Sequence, residues 1–442
     1  MVAGKVTINL IRFASMVKAS WLQNLLYYLL CILAFTIPMP FIYSALSIIA
    51  ISFIWLLQFN LKTTIANLKQ RKELWPWFIF FILHAISYFY SNDKHQSLFD
   101  LQTKLSFVIL PIIIGAGMTL SKEWLEKIFL FFVCSLSILS VYCISRAITI
   151  WFQTGHTDQF FYHALVHGLD ANAVYQSWYA LFSISMLLFF PWHNRFLTKR
   201  WLKYILLILQ IIFFILLSSR TLIVIFLLLV LLYVRKIFIT KKLSALQLTT
   251  TIVTICLLVT SLFATQNPIK ERYIEILNKN LHAAWLKNYT NDNNEFSNLT
   301  LRIFLWRVAF ENIQEHDLWW AGCGNGDVSE LQNKKIEAYG LDPIRRGDLQ
   351  NVNLHNMCFQ SLIMLGIPGL TCFLFIIILP FFYLKHIKYK YLFFIFNFVS
   401  LLFMLQESAF QTQAGIIYYT FFSQVFWCFY FTNKDFNTIK ST

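Results

Sequence analysis

Charge is what this sequence has least of. Only 13% of its 442 residues are Asp, Glu, Lys or Arg, while 58% are hydrophobic. A soluble globular chain is nearer a quarter charged, so soluble-enzyme classes are excluded at the outset. Basic residues outnumber acidic ones by 36 to 21, but they stand in short clusters between apolar runs, not on one face. That distribution excludes a nucleic-acid-binding surface. The eight cysteines contain no CxxC pair and no metal-ligand spacing. Cys31, Cys134, Cys143, Cys256, Cys372 and Cys428 lie inside apolar runs and read as small core residues. Cys323 and Cys358 stand outside or at the edge of such runs, with nothing in their spacing that calls for a disulfide. There is no spaced internal repeat and no low-complexity tract. A cleavable signal peptide is missing too. Lys5, Arg12 and Lys18 sit among isolated apolar residues, the pattern of a short amphipathic segment on the cytoplasmic membrane surface.

What is present is a series of long apolar runs, several reaching the ~18–20 residues that cross a bilayer core. Twelve spans are expected, near residues 21–37, 41–60, 74–91, 101–120, 124–150, 175–192, 203–219, 221–235, 248–266, 356–384, 391–405 and 415–432. The class is therefore all-α, a polytopic membrane protein. The seventh and eighth spans need an argument. Lys203 to Arg235 is broken only by Ser218-Ser219-Arg220. As one helix it would be about 50 Å long, too long for a ~30 Å core. Both of its ends also carry basic clusters, which cannot both be cytoplasmic if one helix crosses once. A tight hairpin with Arg220 at the outer turn resolves both problems.

With that hairpin the charge bias is consistent along the chain. The short outer loops hold only Lys94 and Lys104, and the positive-inside rule places both termini in the cytoplasm. Three parts follow: spans one to nine over 1–266, a long polar segment with short helices over 267–355, and spans ten to twelve with a short cytoplasmic tail over 356–442. The long segment faces outward, which in a diderm bacterium is the periplasm. A connection of that length in a compact protein is usually functional.

Setting aside the cytoplasmic Lys and Arg leaves a small group at the outer boundary: Lys104, Arg146, Arg220, Arg302, Arg307 and His355. Charged groups at membrane depth cost a few kcal/mol and are functional candidates by default. A cluster of cations there suits an anionic ligand, and arginine's fork matches phosphate. The plainer alternatives are a snorkelling anchor for Arg146, a solvated helix face for Arg307 and a polar helix start for His355. His163, His167 and Asp170, before the sixth span, read as a polar loop with acceptor contact as the alternative.

His355-Asn356, nine residues, then Gly366-Ile-Pro-Gly369 resembles the signature of the O-antigen ligase family. The glycines are expected about three turns deeper than the His-Asn pair, where small residues let helices approach. Ser219-Arg220-Thr221 looks like the family's Ser-Arg step between two spans. Leu301-Arg302, Trp306 and Gly322-Cys-Gly324-Asn-Gly326 resemble its outer-loop pattern of Arg, Trp and a Gly-x-Gly turn. Together they cover about residues 200–420; the first five spans match in layout only. Asp317-Leu-Trp-Trp320 departs from the pattern, standing where the family usually has a proline. Glu407, at the outer end of the eleventh span, falls at a polar family position.

The resemblance implies a GT-C-type glycosyltransferase that is inverting and uses no metal or other cofactor. Its donor would be a glycan on undecaprenyl pyrophosphate and its acceptor a sugar hydroxyl of lipid A core, in the periplasmic leaflet of the bacterial inner membrane. Arg220 and Arg302, helped by Arg146 and Lys104, would hold the pyrophosphate, with Asn356 beside it. His355 would take the acceptor's proton, or else only hydrogen-bond a substrate. Asp292 reads as a polar turn, not half of an Asp-x-Asp metal site. Three rivals stay open: an O-antigen polymerase, a protein O-oligosaccharyltransferase and, outside enzymes, a transporter of lipid-linked glycans. Transporters often carry midplane charges and repeats, and this sequence has neither.

Overall fold

The computed structural model describes residues 21–169, 171–194, 196–241, 281–289, 296–341 and 353–441. The N-terminal amphipathic segment, the expected ninth span, Asp170 and Asp292 lie outside them. All regular structure among the described residues is helical. Three stretches are long and apolar enough to cross a membrane alone: Lys94–Ala116, Lys122–Thr154 and Met357–Phe382. A bent pair, α2 (Phe41–Leu56) and α3 (Leu61–Gln70), makes a fourth if taken as one span. Phe41, Ile42, Leu46, Ile49 and Phe53 of α2 are all exposed. An outward face of that kind belongs in lipid. The fold class is that of a multi-pass membrane protein.

The first helix, α1 (Trp21–Thr36), is apolar but short. The expected second span ends early because Asn60 caps a new helix through Thr63 N, and α3 turns 114° away from α2. The third span is α4 (Trp75–Tyr90), with Pro76 in its first turn. The expected fourth span begins earlier than read, as α5 (Lys94–Thr103). It continues after a break as α6 (Ser106–Leu110) and a π-helical stretch, Pro111–Ala116. Then come α7 (Lys122–Thr154), α8 (Tyr162–Val166) and α9 (Ala173–Phe189). Gly155, at φ +71°, ends α7 in the left-handed region.

The next pair, α10 (Arg200–Leu216) and α11 (Arg220–Lys241), is separated at Leu217–Ser219. The rings of Phe214 and Phe226 stand 5.2 Å apart. In one continuous helix, twelve residues would separate them by about 18 Å, so the chain reverses at the break. The outer segment contributes α12 (Asn298–Glu315) and α13 (Val328–Ala338); the last three helices are α14 (Met357–Phe382), α15 (Lys390–Met404) and α16 (Gln413–Ser441). α16 runs through the core. Its Tyr418, Phe422 and Phe426, four residues apart, all pack against Phe182 and Phe396.

Helix α14 is broken at Gly366, which has φ +67° and ψ −163°. A Cβ there would lie 2.5 Å from Trp320 C and 2.6 Å from Trp319 O. The loop after α12 enters this break. Ile367 N donates to Trp319 O at 2.7 Å, Cys323 N to Ile363 O at 2.8 Å and Gly324 N to Met364 O at 3.0 Å. The same loop meets the last residue of α4, whose Tyr90 hydroxyl donates to Ala321 O at 2.5 Å. Gly366 stands about three turns along α14 from Asn356. Its role differs from the expected one: it admits loop backbone instead of a neighbouring helix. The half-helix above it, Met357–Leu365, runs over the α15–α16 connection, with Asn356 bonded to Leu405 O and Gln411 Nε2 reaching Met364 Sδ at 3.3 Å.

Candidate functional site

Four chain segments meet at one end of the bundle. The first is the α10–α11 reversal, where Ser218 takes φ +52° and Arg220 opens α11. The second is α12, capped by Ser297 through Thr300 N, which places Arg302 and Trp306 one turn apart on one face. The third is the entry to α14. There His355 takes φ +46° and Asn356 caps the helix by accepting from Cys358 N and Phe359 N. The fourth is the α15–α16 connection, with Gln406, Glu407 and Ser408. Two non-glycine residues in the left-handed region are a local cost of about 1–3 kcal/mol each, a strain often found at functional sites.

Glu407 is the hub. Its Oε1 accepts from Arg302 Nη2 at 2.6 Å, and its Oε2 lies 3.0 Å from His355 Nδ1. Arg302 Nη1 also donates to Gln406 O at 2.6 Å. The Gln406 side chain accepts from the Thr221 hydroxyl, which ties the α10–α11 reversal to the same point. Burial alone would raise the Glu407 pKa, but His355 and Arg302 outweigh it and hold the carboxyl below the usual carboxylate range. An ionised Glu407 accepts, so His355 Nδ1 carries the hydrogen of this contact and Nε2 is the ring nitrogen it leaves unused.

Beside this hub lies a cavity of about 290 Å³. Tyr162, Ser219, Arg220, Asn298, Arg302, Trp306, Gln406 and Glu407 supply its polar lining; Val174, Leu222, Leu299 and Phe403 are among its apolar walls. Trp306 is fixed by donating to Leu354 O at 2.7 Å and by stacking on Phe359. That pins the chain one residue before His355. Among the described residues, no group of three or more His, Cys, Asp or Glu stands close enough to hold a metal ion.

Arg220 and Arg302 thus line the cavity, and His355 stands beside it, one remove away through Glu407. The other expected residues stand differently. Lys104 is fully enclosed and bonded to Asp100 at 2.7 Å, so its ammonium does not face the cavity. Arg146 donates to Ala164 O at 3.2 Å and packs against Gly168. It braces the α8 segment that delivers Tyr162, one remove from the lining. Asn356 spends its amide on the α14 cap and on Leu405 O, while its N–H donates to Ser408 Oγ at 3.1 Å, so it fixes geometry. Arg307 is not the solvated face expected of it: it is buried, paired with Glu311, and donates to Ala284 O and Leu286 O. His163 accepts from Ala173 N at 3.4 Å and packs at a tilt against the Tyr162 ring. Cys323 and Cys358 are free thiols.

Residues 204–374 match the family model described as O-antigen ligase. That match spans 171 of the chain's 442 residues, from α10 into α14. It matches no curated protein at a significant level. Members of the O-antigen ligase family are glycosyltransferase-like enzymes that act on lipid-linked glycans. Arg220, Arg302 and His355 all lie inside the matched segment, whereas Tyr162 and Glu407 come from outside it. Sequence reading passed over Tyr162, Asn298 and Gln406. For Glu407 there was a signal: it is the sole acidic residue between Asp348 and Asp435.

Proposed function

We propose that this protein is an O-antigen ligase of the bacterial inner membrane, with its termini in the cytoplasm and its site at the periplasmic leaflet. It transfers a glycan from undecaprenyl pyrophosphate to a sugar hydroxyl of lipid A core, with inversion, on a GT-C-type scaffold of twelve spans. The observation that carries this reading is a cavity lined by Arg220, Arg302 and Glu407, with Glu407 joining Arg302 to His355 beside it.

In the transfer, the acceptor oxygen forms a bond to the anomeric carbon as the bond from that carbon to the pyrophosphate oxygen breaks. The electron pair leaves on the pyrophosphate. Arg220 and Arg302 hold that growing negative charge as fixed cations in a partly enclosed site. His355 Nε2 accepts the hydroxyl proton, and Glu407 stabilises the imidazolium so formed. Lys104 and Arg146 support the site from behind. An O-antigen polymerase would use the same donor side, and the acceptor separates the two readings.

The test is complementation of a ligase-deficient strain, wild type against His355→Ala at matched membrane abundance, read on lipopolysaccharide. Wild type is expected to restore long polysaccharide on lipid A core and His355→Ala to fail. Longer lipid-linked chains without transfer to lipid A core would replace ligase by polymerase.

A further inference from the structure

The three helices that wall the candidate reaction cavity also wall a second one at their opposite ends. Val174 of α9, Leu222 of α11 and Phe403 of α15 face the first cavity. Phe189, Leu232 and Phe394, from the other ends of the same helices, face the second. This second cavity holds about 330 Å³ and its walls are mostly apolar. Phe189 and Ile395 form a buried wall at 8% and 2% exposure, while Leu232 and Tyr391 stand 39% and 57% exposed at the mouth. A groove with a buried apolar floor and an apolar open mouth on a membrane-embedded bundle is filled from the bilayer.

Two cations mark its rim. Arg235 comes from α11 and Lys390 from the start of α15. No Asp or Glu is among the described residues lining the groove, and neither cation has an acidic partner among the described residues. Lys390 lies over the Tyr391 ring at 5.6 Å, which holds it at the mouth. An uncharged lipid would fill the groove and leave both cations without a counter-charge. A phosphate would be met by the arginine fork from one helix and the ammonium from another. Basic pockets between membrane helices take anionic head groups in this way.

We propose that this groove is a binding site for an anionic phospholipid, its acyl chain against Phe189, Phe394 and Ile395 and its phosphate between Arg235 and Lys390. The site does not depend on the transfer reaction and lies at the other end of the same helices.

The test is a lipid titration of the delipidated full chain in detergent, followed by native mass spectrometry. Phosphatidylglycerol and phosphatidylcholine with identical acyl chains are compared. Wild type is expected to bind its first phosphatidylglycerol about tenfold more tightly than phosphatidylcholine, and Arg235→Gln/Lys390→Gln to reduce that ratio below about twofold. Leu232→Trp, which fills the mouth and keeps both cations, is expected to weaken both lipids about fivefold with an unchanged melting temperature. Equal binding of the two lipids by wild type overturns the proposal, as does a double variant that keeps the full preference. Displacement of phosphatidylglycerol by an equal concentration of inorganic phosphate also overturns it, because the site would then be one for a bare anion.

Discussion

Glu407 Oε2 stands 3.0 Å from His355 Nδ1, so a carboxylate from one helix connection fixes the ring at the mouth of another helix. The same carboxylate binds Arg302 through its second oxygen. Replacing it with an amide keeps the shape and removes the charge. In Glu407→Gln the His355 tautomer is no longer fixed and the imidazolium loses its partner. Transfer should fall roughly 10²–10⁴-fold, by analogy with the loss of an orienting carboxylate in other His-based sites. Membrane abundance should be retained, and the measurement is glycan transfer per unit of protein.

The acid response follows from the same pair. The folded-state pKa of Glu407 is depressed, so its ion pairs stabilise the fold above the unfolded-state pKa and are lost as pH falls through the folded one. The melting-temperature gap between wild type and Glu407→Gln should stay flat from pH 8 to about 5 and close only below about 4. A gap that closes well above pH 5 would mean that the Glu407 carboxyl is not held below its usual range.

Arg302→Lys should separate charge from geometry. Arg302 bonds Gln406 O and Glu407 Oε1 at once, through two nitrogens of one plane. Lysine brings one point charge and cannot make both bonds in that form. Activity should drop by about tenfold or more while the melting temperature shifts little, since the charge pair itself survives. Full activity in Arg302→Lys would reduce Arg302 to a simple counter-charge for Glu407.

Two glycines with nearly equal φ make a controlled comparison. Gly155 has φ +71° and nothing within 4 Å of where a Cβ would stand, whereas Gly366 has φ +67° and loop backbone at 2.5 Å. Gly155→Ala should cost about 1 kcal/mol, the backbone penalty alone. Gly366→Ala carries the same penalty plus a collision with Trp319 and Trp320, and should lower the melting temperature far more or abolish folded protein.

Arg307→Ala should loosen the outer segment and spare the bundle. Its guanidinium is buried and holds Glu311 together with the carbonyls of Ala284 and Leu286. The variant loses a partly buried ion pair and two bonds to carbonyls at once, each of which helps to hold the segment. Hydrogen exchange should rise across residues 281–289 and stay unchanged in α9 and α16.

The apolar all-helical class and the α10–α11 reversal were legible because apolar run length and basic flanks report them directly. The trio of Arg220, Arg302 and His355 was legible as cations out of place in such a pattern. Periodicity could not give the partners. Glu407 and Arg302 are 105 residues apart, and nothing local to either names the other. Lys104 looked like a ligand-facing cation for the same reason: its neutralising partner Asp100 sits one turn away, but the burial of both depends on packing from distant helices. Gly366 was seen as a place of close approach, and it is one. What approaches is loop backbone from residues 319–324, which a helix-packing rule does not anticipate.

The loop seated in the Gly366 break continues downward as Asn325, whose side chain meets His84 Nδ1 at 2.7 Å and His84 O at 3.1 Å, and then as Asp327, which accepts from Asn92 N and Asp93 N. The outer segment is therefore not a detachable module. A chimera that swaps it for the equivalent segment of another family member would leave the α4 end and residues 363–367 shaped for the wrong visitor. Exchanging that segment would require moving residues 84–93 together with the loop, because the two were built as one joint.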